Sequence, residues 1–147
     1  MMARYKVYYT ELVGYWNKYV GAWGGKAKTY KFKGYKNGEL VKEAEVGPSN
    51  EFDLRLSLSK EELINEDTYD SLRIRVEHVD EHGNLLQYSQ RILNVEVSGP
   101  IELIGPHSQS LLGGQLGLFI KSKNEKGTGK VIIKMDNLVK TLEVPVR

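Results

Sequence analysis

The chain has 147 residues, 21 Lys+Arg against 19 Asp+Glu, a net charge of +2 and no cysteine. That length supports one small domain or two very small ones, with about 70% of the unfolded surface buried on folding, and the missing cysteines exclude disulfides and thiolate metal sites. A charge excess of two, with both signs interspersed, is not a nucleic-acid footprint, and a (β/α)8 barrel of about 250 residues does not fit.

The first 35 residues stand apart in composition. Ten of the fourteen aromatic residues fall here: Tyr5, Tyr8, Tyr9, Tyr15, Trp16, Tyr19, Trp23, Tyr30, Phe32 and Tyr35. Gly14, Gly21, Gly24 and Gly25 interrupt them, which argues against a long regular element through 10–25. The opening stretch, Met1 to Trp16, is too polar for a signal-peptide core, and no run approaches the ~20 apolar residues of a membrane span.

Residues 27–35 alternate, with Thr29, Lys31 and Lys33 on one side and Tyr30, Phe32 and Gly34 on the other, the pattern of a half-buried strand. Asn37-Gly38 is the strongest short hairpin signal, because a type I′ turn needs positive φ at both central positions. The return strand runs from Leu40 to Val46, and Gly47-Pro48-Ser49-Asn50 breaks it. This break divides the chain into an aromatic-rich β unit, 1–48, and a second unit, 49–147.

In the second unit Phe52, Leu54, Leu56 and Leu58 share one strand face. Ser59 with Glu62 three residues on has the form of a capping box, which predicts a short helical turn. Leu72, Ile74, Val76 and His78 then share the face of another strand, and 80–84 is a turn. Strands follow at 92–97, 101–104, 116–121, 130–135 and 138–146, with turn residues between them. Short strands at this spacing predict an all-β, antiparallel immunoglobulin-like sandwich of seven or eight strands, without the Cys…Trp…Cys signature of antibody domains.

Candidate chemistry is sparse. His78 and His82, with Glu77, Asp80 and Glu81 nearby, lose their helical spacing on a strand and turn, and a solvated hairpin accounts for them. His107, Ser108 and Ser110 lie in a loop without a nucleophile elbow. Glu61-Glu62 and Asp80-Glu81 are a turn of helix and a turn, and nothing singles them out as a glycosidic pair. Gly113-Gly114 and Gly127-Thr128-Gly129 lack the helix and lysine of a phosphate cradle. Lys26, Lys28, Lys31, Lys33 and Lys36 interleave with aromatics, but alternation makes them a solvated face over a core face. No catalytic residue, cofactor, metal, nucleic acid or membrane is expected. The N-terminal aromatics either fill a small core, dock on a neighbouring domain or stack on sugars, with Tyr15, Trp16, Tyr19 and Trp23 as the contact candidates.

Several of these stretches carry a family resemblance. Lys33 to Val41, with its G-Y-x-N-G-x-x-V form, resembles a hairpin found late in glycoside hydrolase family 2, the β-galactosidase-like enzymes. Asp70 to Ile74, Val79 to Asn84, Val97 to Pro106 and Gly113-Gly114 are similar to the C-terminal immunoglobulin-like domain of that family, and the likeness covers about 26–146. It implies a non-catalytic accessory sandwich of a multidomain bacterial glycosidase, packed on other domains of its parent and sharing its compartment, cytoplasmic or secreted. The catalytic glutamates of that family sit in a (β/α)8 barrel, so none carries over. Residues 1–48 then read as the end of a preceding sandwich. The alternatives are a carbohydrate-binding module using the same aromatics and a cell-surface adhesion repeat, since invasin-like domains share the V-D-x-x-G-N turn.

Overall fold

The computed structural model describes residues 7–20 and 27–147, and the expectations placed on Tyr5, Gly21, Trp23, Gly24, Gly25 and Lys26 lie outside them. Backbone proximity divides the chain into two compact units, Met1–Ser49 and Asn50–Arg147.

The described part of the first unit opens with a short helix in the stretch where the glycines argue against a long regular element. Helix α1, Tyr9–Tyr15, continues through a π-helical turn, Trp16–Val20. The Tyr8 amide donates to the Glu11 carboxylate at 3.0 Å, which satisfies one of the amides a helix start leaves orphaned. Gly14 costs the helix about 1 kcal/mol relative to alanine and does not break it. The Tyr30 hydroxyl donates to the Val20 carbonyl at 2.6 Å and fastens the end of the helical segment to the strand that follows.

Strands β1, Tyr30–Lys36, and β2, Glu39–Val46, form the expected antiparallel hairpin. Its turn residues Asn37 and Gly38 have φ of 53° and 86°, the left-handed pair that a type I′ turn requires. Lys31 faces Glu45 and Lys33 faces Glu43 across the ladder, and the Lys31 ammonium lies 2.6 Å from the Glu43 carboxylate. The other face carries Tyr30, Phe32, Ala44 and Val46. The expectation that this face is a buried core does not hold. Phe32 is 59% exposed, because among the described residues of this unit no second layer lies on the apolar side of the two-stranded ribbon.

The second unit is an all-β sandwich of two antiparallel four-stranded sheets. Its strands are β3 Phe52–Leu58, β4 Ser71–Asp80, β5 Ile92–Ser98, β6 Ile101–Ile104, β7 Ser108–Ser110, β8 Gln115–Ser122, β9 Gly127–Met135 and β10 Leu138–Val146. One sheet has the order β3-β4-β8-β6 and the other β10-β9-β5-β7. The inward positions of both meet in one cluster. Leu54, Leu72, Ile74, Val76, Ile101, Leu118 and Ile120 come from the first sheet, and Leu93, Val95, Val131, Ile133, Met135 and Val144 from the second. Burying each such side chain stabilises the fold by about 1.5–3 kcal/mol, so apolar strand faces hold the sandwich without any covalent staple.

Two details depart from the sequence reading. Ser59–Glu62 forms no helix. The Ser59 hydroxyl instead accepts the Arg73 amide at 3.0 Å, and Leu63 exchanges backbone hydrogen bonds with Pro145 and Arg147 beside β10. A fully buried Leu63 side chain at this point outweighs one local cap. Strand β7, read as loop, pairs with β5 through Ser108↔Asn94, because an edge strand three residues long leaves almost no alternation to detect.

Candidate functional site

The N-terminal aromatics are the sequence-predicted contact residues. Tyr15 and Tyr19, four apart, stack with ring centroids 6.3 Å apart and planes 24° from parallel. The Lys18 ammonium sits 5.0 Å from the Tyr19 ring. Trp16 is exposed as well, so Tyr15, Trp16 and Tyr19 fill no core within the described residues. Trp23 lies outside them.

The second unit carries a cleft that no motif pointed to. It begins with β4, where His78 is buried beneath the loop 85–91. The loop is pinned from below by three backbone bonds: Leu86 amide to His78 carbonyl at 2.9 Å, His78 amide to Gly114 carbonyl at 2.8 Å, and Gly114 amide to Ser89 carbonyl at 3.0 Å. Gly114 has φ +78°, and a Cβ there would stand 2.3 Å from the Leu86 carbonyl oxygen, so only glycine lets the strand and the loop approach this closely. The Ser89 hydroxyl completes the attachment, 2.7 Å from His78 Nδ1.

Phe52, at the start of β3, meets the His78 ring edge-on at 5.8 Å. Arg91 projects over the same space and pairs with Asp136 at 2.8 Å. Asp136 occupies the turn between β9 and β10 with φ 50°, a left-handed conformation that costs a non-glycine residue about 1 kcal/mol or more. Tyr88 stands on the rim, 98% exposed. Phe52, His78, Tyr88 and Arg91 line an open cleft of about 450 Å³, and a second hollow bordered by Phe52, His78 and Arg91 adjoins it at the Asp136-Asn137 turn. Burial holds the His78 imidazole below its ordinary pKa, the positive charge of Arg91 pushes it further down, and Asp136 opposes both. The ring is therefore neutral near pH 7, a hydrogen-bonding floor without charge.

The remaining sequence candidates are separated or already engaged. His107 Nδ1 donates to the Val95 carbonyl at 2.8 Å and Ser108 Oγ to Asn94 Oδ1 at 2.6 Å, so neither hydroxyl nor imidazole activates the other. Asp80 accepts from the amides of His82 and Asn84 and from the Asn84 side chain, which closes the 80–84 turn on itself. Glu77 is buried and held below the usual carboxylate range by the Arg55 guanidinium, with Arg75 2.8 Å away adding to the effect. Asp53 is lowered chiefly by Lys140, and Asp70 by the Ile64 amide and then by Lys60. Lys31 and Lys33 pair with Glu43 across β1 and β2, which neutralises the basic face of the hairpin.

The family described as glycoside hydrolase family 2 C-terminal domain 5 matches residues 54–142. Among curated proteins, a β-galactosidase of Thermoanaerobacterium thermosulfurigenes is 28% identical over 95 residues, covering 65% of this chain and 13% of that protein. A β-galactosidase of Rhizobium radiobacter is 26% identical over 108 residues, covering 73% of this chain and 78% of the relative. Among solved structures, a β-glycosidase from Bacteroides vulgatus superposes with a TM-score of 0.66 at 22% identity, over 80% of this chain and 17% of that one. A glycosyl hydrolase family 2 member from Bacteroides cellulosilyticus gives 0.65 at 20% identity, over 81% and 17%. At these identities the structures speak for the fold alone. Among the described residues, no helix is long and apolar enough to cross a membrane.

Proposed function

The chain belongs to the glycoside hydrolase family 2 C-terminal domain 5 family, and from that premise we propose that it is a non-catalytic accessory β-sandwich of a multidomain glycoside hydrolase, with a structural, domain-packing role. The observation that carries this reading is the extent of the family match, which runs from β3 to β10 and takes in nearly all of the sandwich. The carboxylates add support. Glycosidic cleavage needs one carboxylic acid whose pKa is raised so that it can protonate the leaving group. Glu43, Asp53, Asp70 and Glu77 are all moved the other way, by lysine, arginine or amide partners.

In this reading residues 1–48 are a separate aromatic-rich unit, the end of a preceding sandwich, and 49–147 form the accessory domain. Tyr15, Trp16, Tyr19 and Trp23 supply the contact surface toward other domains of the parent. The exposed, stacked rings of Tyr15 and Tyr19 support that assignment, since flat apolar rings with a polar tip suit a domain interface. The same geometry favours a second reading, in which these rings stack on sugars.

Two measurements test the proposal. The purified chain, incubated with nitrophenyl β-galactoside, β-glucoside and β-glucuronide, is expected to release no nitrophenol above buffer, and saturable turnover overturns the non-catalytic role. Affinity electrophoresis through galactan, xylan and starch separates the two uses of the aromatics. Retardation abolished by Trp16→Ala favours sugar stacking, whereas unretarded migration of a folded chain favours domain contact.

A further inference from the structure

We propose that the cleft at the loop end of the sandwich is a binding site for a neutral saccharide chain, with Phe52 and Tyr88 as stacking faces and Arg91, Asp136 and Asn137 as the polar groups that read its hydroxyls. A pyranose presents a flat face of C–H groups and a rim of hydroxyls, each both donor and acceptor. Aromatic rings complement the face and planar guanidinium, carboxylate and amide groups complement the rim. All of these are present within one unit, around two adjoining hollows that share Phe52, His78 and Arg91. Its volume of about 450 Å³ lies in the range of ordinary ligand sites. Phe52, His78 and Arg91 also border a second hollow of about 180 Å³ at the Asp136-Asn137 turn, so the shape suits consecutive sugars better than a single one.

Charge narrows the class. Arg91 and Asp136 neutralise one another at 2.8 Å, and the His78 ring beneath them is neutral. An ionic ligand would find no uncompensated charge there, whereas hydroxyls gain from both partners of the pair. Two further groups at the cleft are open to solvent and contribute nothing to the core. Tyr88 leaves almost its whole ring in water. Asp136 holds its carboxylate at the left-handed turn position, φ 50°, against Arg91 and half in solvent. The floor is held in place beforehand by the Gly114 and His78 backbone bonds and by Ser89 on the imidazole, so little ordering cost falls on binding. The choice of a saccharide over an apolar peptide rests in part on the accessory-domain reading above.

The test uses the full chain, isotopically labelled and titrated in separate NMR experiments with cellohexaose, xylohexaose, galactohexaose and an apolar decapeptide. At least one saccharide is expected to shift the amides of 88–91 and 136–137 saturably. Tyr88→Ala and Asp136→Gly should each weaken that binding at least about tenfold, which is about 1.4 kcal/mol. Both variants should keep the wild-type fold, since Tyr88 is almost wholly exposed and glycine suits the left-handed turn position. Trp16→Ala should leave the affinity unchanged. Silence from every saccharide, shifts confined to the Tyr15–Tyr19 segment, full affinity in both cleft variants, or saturation by the peptide alone each overturns the proposal. Nitrophenyl glycoside turnover would overturn the accessory-domain reading independently, so the two failures are distinguishable.

Discussion

The hairpin and the sandwich are written in the same alternating code and come to opposite ends. In β1 the residues Tyr30, Phe32 and Gly34 alternate with lysines as regularly as Leu72, Ile74 and Val76 alternate with Arg73 and Arg75 in β4. In β4 the apolar set is completely buried, whereas Phe32 remains 59% exposed. Alternation decides which residues share a face, and only a second layer decides whether that face leaves water. The sandwich has that layer within its own unit, and among the described residues of the first unit the hairpin does not. Polar pairing differs in the same way. Lys31 is raised and Glu43 lowered by their mutual bond on an open ribbon, while Glu77 is buried between Arg55 and Arg75.

The largest expected effect tests whether stability resides in the sandwich layers. Ile133→Ala, at a fully buried position, should destabilise the chain by about 2–5 kcal/mol in urea unfolding followed by far-UV circular dichroism. A loss below about 1 kcal/mol would mean that the two sheets do not share one core. Gly114→Ala comes next. Its Cβ would collide with the Leu86 carbonyl at a positive φ, and a loss of about 2 kcal/mol or more is expected. The 85–91 amides should shift in NMR spectra while those of β1 and β2 stay fixed.

Acid should weaken the sandwich in two steps. His78 is held below the ordinary histidine value of about 6.5, so the unfolded chain takes up this proton before the folded one does. Stability is therefore undiminished above pH ~6.5 and falls as pH drops from there toward the folded value. Asp53, Asp70 and Glu77 are also lowered, and their contribution, full above the ordinary carboxylate range near pH ~4, is lost as pH falls through their folded values. Urea midpoints at pH 8 and 5.5 measure the first step and those at pH 4 and about 2.5 the second, and His78→Asn should erase the first alone. An unchanged midpoint between pH 7.5 and 5.5 would remove His78 from this account. The smallest effect sharpens the contrast most. Phe32→Ser, or removal of residues 1–49, should move the unfolding free energy of the sandwich by no more than about 0.5 kcal/mol. A larger drop would show that the two units are energetically coupled.

The cleft was invisible at the level of motifs for a physical reason. Phe52, His78, Tyr88, Arg91 and Asp136 are spread over 85 positions of chain, and no spacing among them has chemical meaning until β3, β4 and the β9–β10 turn arrive at one end of the sandwich. His78 was legible only as the last member of an apolar strand face. Its burial followed from that position, and its contacts with Ser89 and Phe52 did not. The Ser59–Glu62 turn failed in the opposite direction. A good local cap lost to Leu63, whose burial beside β10 is a long-range event.

Alternation, turn chemistry and the missing cysteines were enough to read an all-β sandwich, the Asn37-Gly38 hairpin and most strand positions, because period-2 burial and left-handed turns are properties of neighbouring residues. Tertiary structure alone decided that the hairpin face stays in water, that Tyr15 and Tyr19 stack on a helix, that 108–110 pairs as an edge strand, and that a neutral imidazole, two aromatic rings and an arginine–aspartate pair meet in one cleft. Those outcomes depend on which layers come together across long stretches of chain, and burial, the dominant stabilising term, is defined only once they have met.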